Sequence, residues 1–278
     1  MKLKNNIFAT LLLIAVTAGC SSTPLKVASV RIKGSDTMLH LTSLLAQQYM
    51  EEHPGISIYV EGGGTASGVR ALIRGEIDIC TGSRNLEADE VKLLAEQYGS
   101  LGVSFLIAKD GLSIYLNEEN PVKEITTQQL KDIYTCKIKN WKELGGADRS
   151  IMLITRNTNS GTYLYFKEHI LEGNGYCTDA SAYPTTQNVI DQVNANVNAI
   201  GYGGVGFKAD VYFAKINGIE PTEENIRNDK YPISRYLHFY TLSQPDGAVK
   251  DFIDWVLSPG GQKIIEDAGF ISLFEISF

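Results

Sequence analysis

The stretch SIMLITRNTNSGTYLYFKEHIL, residues 150–171, decides the fold. Its first third, Ile151 to Thr155, is an apolar run of strand length closed by Arg156. Small, polar, turn-forming residues follow. Tyr163, Phe166 and Ile170 then recur at helical spacing. Strand, short polar turn, helix is the repeating unit of α/β folds, whose ligands sit at the carboxyl ends of the strands. Ser160, Gly161 and Thr162 open the helix, where backbone N–H groups lack partners and the dipole is positive. Arg156 adds a planar fork of donors that matches an oxyanion. Reading Ser160 as a nucleophile instead requires a base, and no histidine lies near it in sequence.

The same layout occurs twice upstream. VASVRIKGS (27–35) passes through Gly34-Ser35-Asp36-Thr37 into the helical pattern DTMLHLTSLLAQQYMEEHPG (36–55). ISIYVEGGG (56–64) passes through Gly64-Thr65-Ala66-Ser67-Gly68 into the short helix SGVRALIRG (67–75). Ser and Thr are the commonest helix caps, so one such mouth says little. Three on elements that α/β topology aims at a common edge point to a bound anion. Downstream, EIDICTGS, EADEVKLLAEQYG, TTQNVIDQVNAN, AIGYGGVGF and RYLHFYTL continue the alternation of strands and helices. VSFLIAKDGLSIYLN (103–117) is apolar for longer than one ordinary strand needs. It suggests a crossing between two lobes near 109–115, with a return near 205–212. The expected lobes are 25–108 joined to 210–278, and 109–209 between them, in an α/β fold with mixed, mostly parallel sheets.

The chain has 278 residues, 32 acidic against 25 basic, for a net charge of −7. That balance argues against nucleic acid, whose binding rests on basic patches. Residues 1–19 read as an export signal: Lys2 and Lys4, then the apolar run IFATLLLIAV, then TAG before Cys20. TAGC followed by SST resembles the bacterial lipobox, which implies that Cys20 is lipidated and that residues 20–24 form a tether. Cys80 lies in an apolar strand pattern and reads as a buried small residue. Cys136 and Cys177 are able to pair in an exported protein, though nothing in their spacing requires it. The four histidines (40, 53, 169, 238) are scattered without ligand spacing, so no metal site and no cofactor is expected.

GSDTM (34–38), EGGGTASGVRALIRGEIDICTGSR (61–84), LKDIYTCKIKNWKELGG (130–146), RNTNSGT (156–162), NAIGYGGVGF (198–207) and PGGQKIIEDAGF (259–270) together resemble the PstS-type phosphate-binding proteins of bacterial ABC transporters. The resemblance spans nearly the whole mature chain, and RxxxSGT is its most specific part. It implies a two-lobed, hinged periplasmic-binding-protein fold with two crossovers. That fold would close on inorganic phosphate and hand it to a membrane permease, as a monomer anchored outside the cytoplasm. It maps Arg156, Ser160, Gly161 and Thr162 onto the phosphate loop of one lobe, and Ser35, Thr37 and Ser67 onto the other. The family often has an aspartate after the serine of the third strand, accepting a proton from phosphate. Here Arg84 stands there, either adding charge to the site or turning into an ion pair. Asp36 is the replacement acceptor or merely a helix cap. Sulfate, molybdate or tungstate binding is the rival reading, a serine hydrolase or phosphatase a more distant one, and a sensory or adhesive lipoprotein a third.

Overall fold

The computed structural model describes residues 28–207 and 210–275. The export signal, Cys20 and the tether lie outside them. In chain order the elements are β1 (Ala28–Gly34), α1 (Leu39–Glu52), β2 (Ile56–Glu61), α2 (Thr65–Ile73), β3 (Ile79–Gly82), α3 (Ala88–Tyr98), β4 (Val103–Leu116), β5 (Glu124–Ile125), α4 (Thr127–Tyr134), a 3-10 turn (Trp141–Leu144), β6 (Met152–Arg156), α5 (Gly161–His169), β7 (Ser181–Tyr183), α6 (Thr186–Ala195), β8 (Ala199–Gly204), β9 (Tyr212–Phe213), β10 (Lys215–Ile216), α7 (Glu223–Arg227), β11 (Ser234–Thr241), α8 (Gly247–Val256) and α9 (Pro259–Asp267).

Why these segments form these elements is visible locally. In β1 the inward positions Val30, Ile32 and Gly34 alternate with more exposed ones, the period-two pattern of a strand covered on one face. Helix α9 starts on Ser258, whose hydroxyl accepts the Gly261 N–H, with Pro259 at the first helical position where no N–H is needed. Helix α3 carries a reciprocal capping box between Glu87 and Glu90.

Among the described residues one mixed sheet runs in the order β2-β1-β3-β11-β4-β8-β6-β7, with β9 also on β4. Strands β1, β2 and β3 are mutually parallel, as are β6, β7 and β8, while β11 and β4 run antiparallel to their neighbours. The 14-residue β4 serves two halves: Val103–Gly111 pairs with β11, and Leu112–Leu116 pairs with β8. Separate cores flank the two halves. Val30, Ile32, Leu41, Leu45, Phe239 and Phe252 fill the first, and Leu112, Ile133, Trp141, Phe166, Ile200 and Tyr202 the second.

Strand β4 changes its pairing partner at Gly111–Leu112. The return is not at 205–212. Ala214, Ile216, Ile226, Tyr231 and Ile233 pack into the second core, and Leu112 N–H donates to Ile233 O at 2.8 Å. The chain goes back to the first lobe at Ile233–Arg235, about twenty residues later than the sequence pattern suggests. Strands β9 and β10 have two residues each, too short to display any periodicity. Cys136 and Cys177 are joined in a disulfide, their Cα atoms 5.3 Å apart, which pins the end of α4 to the segment after α5.

Candidate functional site

All three helix mouths named from sequence face the seam between the lobes. In the second lobe, Arg156 ends β6 with only 1% of its surface exposed. Its Nη1 donates to Thr186 Oγ1 at 2.8 Å, and its Nη2 to Pro184 O at 2.7 Å and to Asp36 Oδ2 at 3.2 Å across the seam. Its Nε–H has no acceptor among the described residues although the atom is buried. Burial is the main force lowering this guanidinium's pKa. Nearby Arg235 acts in the same direction, and Asp36 opposes both. A buried, under-compensated cation of this kind is a strong draw for an anion.

Ser160 caps α5 by accepting the Tyr163 N–H, and Gly161 and Thr162 form its buried first turn, which carries no acidic residue. From the first lobe, Thr37 Oγ1 meets Thr162 Oγ1 at 2.9 Å. Ser35 is buried, its N–H held by Thr81 O and Thr81 Oγ1. Asp36 is a bridge: Oδ1 accepts the Gly63 N–H at 2.8 Å and Oδ2 faces Arg156. Asn159 docks on the glycine-rich turn, giving its Nδ2–H to Gly63 O and its carbonyl to the Ala66 N–H. Gly64 has a φ of +87°, and a Cβ there would stand 2.5 Å from Asn159 O. Glycine is needed at that position for both backbone conformation and close approach.

Two expected residues stand elsewhere. Ser67 is half-buried and spends its hydroxyl on Gly64 O within its own turn. Helix α2 begins two residues earlier than the sequence pattern suggests, so the hydroxyl that faces the other lobe is Thr65. Thr65 Oγ1 accepts the Ser83 N–H at 3.2 Å and lies 3.4 Å from Ser83 Oγ. A Cβ on Gly161 would come within 2.3 Å of Thr65 Oγ1 and 2.6 Å of Ser83 Oγ. Arg84 turns away from this cluster. It forms a two-pronged pair with Glu90, at 2.8 and 2.7 Å, and also donates to Asn85 O. The reason is local: Glu90 is already fixed by the α3 capping box and presents its carboxylate to the strand end.

Beside these residues stand Ser83, Asp110 and Arg235, which the sequence did not single out, and Thr65, which it named only as part of the second helix mouth. Asp110 is fully buried on β4, where desolvation raises its pKa against the pull of Arg235. Arg235 Nε and Nη2 both donate to Asp110 Oδ2, at 3.0 and 2.9 Å, and its Nη1 donates to Thr162 Oγ1 at 3.1 Å. A charged residue inside the apolar run LIAKDGLS was the available signal for Asp110.

The array, seen as chemistry, is one exposed-edge carboxylate, one under-compensated guanidinium, four or more hydroxyls and a helix mouth, meeting from two lobes. Among the described residues it offers donors to an oxyanion and no nucleophile–base pair. Comparison with known proteins shows the family. The model of the PBP superfamily domain matches residues 21–259. Phosphate-binding protein PstS of Pseudomonas aeruginosa is 31% identical over 263 residues, covering 86% of this chain and 81% of that protein. The chain belongs to the PBP superfamily and to its PstS-type family. The PstS protein of Bacillus subtilis is 33% identical over 256 residues, covering 89% and 82%. Among solved structures, a phosphate ABC transporter substrate-binding protein with bound phosphate from Clostridium perfringens superposes with a TM-score of 0.82 at 32% identity, covering 88% of this chain and all of that one. A phosphate transport receptor from Vibrio cholerae gives 0.73 at 30% identity, covering 87% and 99%. PstS-type relatives are binding proteins, not enzymes.

Proposed function

We propose that this protein binds inorganic phosphate between its lobes and delivers it to an ABC permease, working as a lipid-anchored monomer outside the cytoplasm. The observation that carries the reading is Arg156: buried, without a partner at Nε among the described residues, and held between Thr186 of its own lobe and Asp36 of the other. A dehydrated oxyanion costs several kcal/mol or more unless its oxygens are saturated with hydrogen bonds. Ser35, Thr37, Thr65, Ser83, Ser160 and Thr162 with the mouth of α5 supply donors for that purpose. An acidic protein can hold an anion because these dipoles act locally and net charge does not.

Asp36 favours phosphate over sulfate. Near neutral pH phosphate carries a proton that a carboxylate accepts, while sulfate presents only lone pairs. Arg84, engaged by Glu90, gives no support to the rival oxyanions. The Cys136–Cys177 disulfide fits an oxidising compartment, and no helix among the described residues is long and apolar enough to cross a membrane. In this reading Cys20, within the lipobox-like TAGC, carries the attachment.

Titration calorimetry of the soluble chain against phosphate, sulfate, molybdate and tungstate tests the ligand. Tight binding of phosphate alone supports the reading; a preference for another anion refutes it. Loss of membrane association and of labelled fatty acid in Cys20→Ala tests the anchor.

A further inference from the structure

The Cys136–Cys177 disulfide stands outside the candidate site, yet a tyrosine beside each of its ends reaches the strand that carries Arg156. Strand β6 pairs with β8 only at Met152 and Leu153. At Ile154, Thr155 and Arg156 its ladder partner is β7, a three-residue strand at the sheet edge. Tyr134, two residues before Cys136, shares its hydroxyl hydrogen between Ile154 O at 3.1 Å and Ile200 O at 3.2 Å. Tyr176, next to Cys177, donates to Tyr163 O at 3.0 Å in the first turn of α5. Its oxygen also lies 2.8 Å from the Tyr202 hydroxyl, which lies 2.6 Å from Thr155 Oγ1. The rings of Tyr163 and Tyr176 stack with centroids 4.4 Å apart. Burial pushes up the pKa of both Tyr176 and Tyr202, the latter to about 12, so these hydroxyls keep their hydrogens at neutral pH.

Tyr176 therefore touches both parts of the loop that the binding reading needs fixed. Through Tyr202 it reaches Thr155, the residue before Arg156, and through Tyr163 it reaches the turn capped by Ser160. Its own segment has little to hold it. Between α5 and β7 the chain forms no helix or strand, and residues 172–175 are exposed. Apart from the disulfide, the one backbone tie of this segment to α4 among the described residues is the Cys177 N–H to Tyr134 O, at 2.7 Å. A loop in binding-competent order for only part of the time loses apparent affinity by that fraction.

We propose that Tyr176 is a positioning residue for anion binding: held in place by the Cys136–Cys177 disulfide, it keeps Arg156 and the mouth of α5 in register in the ligand-free protein. The inference rests on the phosphate reading, since it concerns the same loop. It makes phosphate affinity depend on the disulfide through one hydroxyl, whereas a disulfide that only stabilised the fold would change the melting temperature alone.

The test is phosphate affinity by titration calorimetry, with thermal unfolding alongside. Wild type and Tyr176→Phe are compared, each oxidised and with the disulfide opened by excess dithiothreitol. Phenylalanine keeps the ring and removes the hydroxyl. Opening the bond in wild type should weaken phosphate binding by roughly two- to tenfold, the worth of one ordinary hydrogen bond. Oxidised Tyr176→Phe should lose a similar factor. Opening the bond in Tyr176→Phe should then lower the melting temperature as it does in wild type and leave affinity where it was. Tyr98→Phe removes a comparable hydroxyl, bonded to Ile73 O in the first lobe, and should lose stability without losing affinity. If the reduced chain does not stay folded, oxidised Tyr176→Phe set against Tyr98→Phe decides. Wild-type affinity in Tyr176→Phe, or losses from reduction and substitution that simply add, overturn the proposal and leave the phosphate reading standing. A wild-type chain that takes no phosphate overturns both.

Discussion

Replacing Gly161 with alanine isolates lobe closure from lobe stability. Gly161 is the first residue of α5, in ordinary helical backbone, so a methyl group causes no conformational strain there. Alanine in place of glycine is, if anything, worth up to about 1 kcal/mol to a helix. The trouble lies across the seam. The new Cβ would sit 2.3 Å from Thr65 Oγ1, against ordinary contacts of 3.4–4 Å, so the lobes must part by about 1 Å at this point. Thr65 has no room to retreat, being fully buried and bonded to the Ser83 N–H. Overpacking of this size costs about 1–3 kcal/mol. Because the clash exists only when the lobes meet, that cost falls on ligand binding, weakening it by about five- to 150-fold. Calorimetry with phosphate, paired with thermal unfolding of the ligand-free protein, reads the two effects separately. Unchanged affinity, or a fall in ligand-free melting temperature that accounts for the loss, would refute the claim that this glycine exists for inter-lobe approach.

Asp36→Asn should lower the ratio of phosphate to sulfate affinity by about five- to 150-fold, about 1–3 kcal/mol, since the amide accepts a ligand proton less well and can also donate; a constant ratio in competition titrations would reduce Asp36 to a cap. Arg84→Met should leave phosphate affinity within a factor of two or so, while stranding the Glu90 carboxylate and costing about 3–5 kcal/mol in denaturant unfolding. His238 links stability to pH: its folded pKa is depressed to about 4 from 6.5 by burial, so below pH 6.5 the unfolded chain takes up a proton that the folded chain refuses. Stability should therefore fall between about pH 6.5 and about pH 4, by on the order of 3 kcal/mol, and His238→Gln should flatten that part of the unfolding profile. Reducing the Cys136–Cys177 disulfide should cost about 2–4 kcal/mol, measurable as a lower melting temperature with reductant present.

What the sequence made legible was local. The 156–162 turn was readable because a strand-length apolar run and a helical spacing abut there with small residues between them. Ser160, Gly161 and Thr162 accordingly sit at the start of α5. The start of α2 was misplaced by two residues, half a helical turn, because the helix begins immediately after Gly64 and the glycine run hides its start. Arg235 and Asp110 are 125 positions apart and belong to no motif, so only the pairing of β4 with β11 joins them. The late return crossing was hidden for a similar reason. Residues 210–233 show little pattern of their own and are assigned to a lobe by what they pack against.

Strand β4 carries a consequence for anyone wishing to dissect the protein. One uninterrupted rail of backbone is the spine of both lobes, with hydrogen-bonding neighbours on either side of Gly111. Severing the gene there would hand each fragment a naked, adhesive margin where a neighbouring strand had been, an invitation to aggregate rather than an autonomous module. Were the lobes to part, the motion would have to twist this ribbon and not swing on a slack tether.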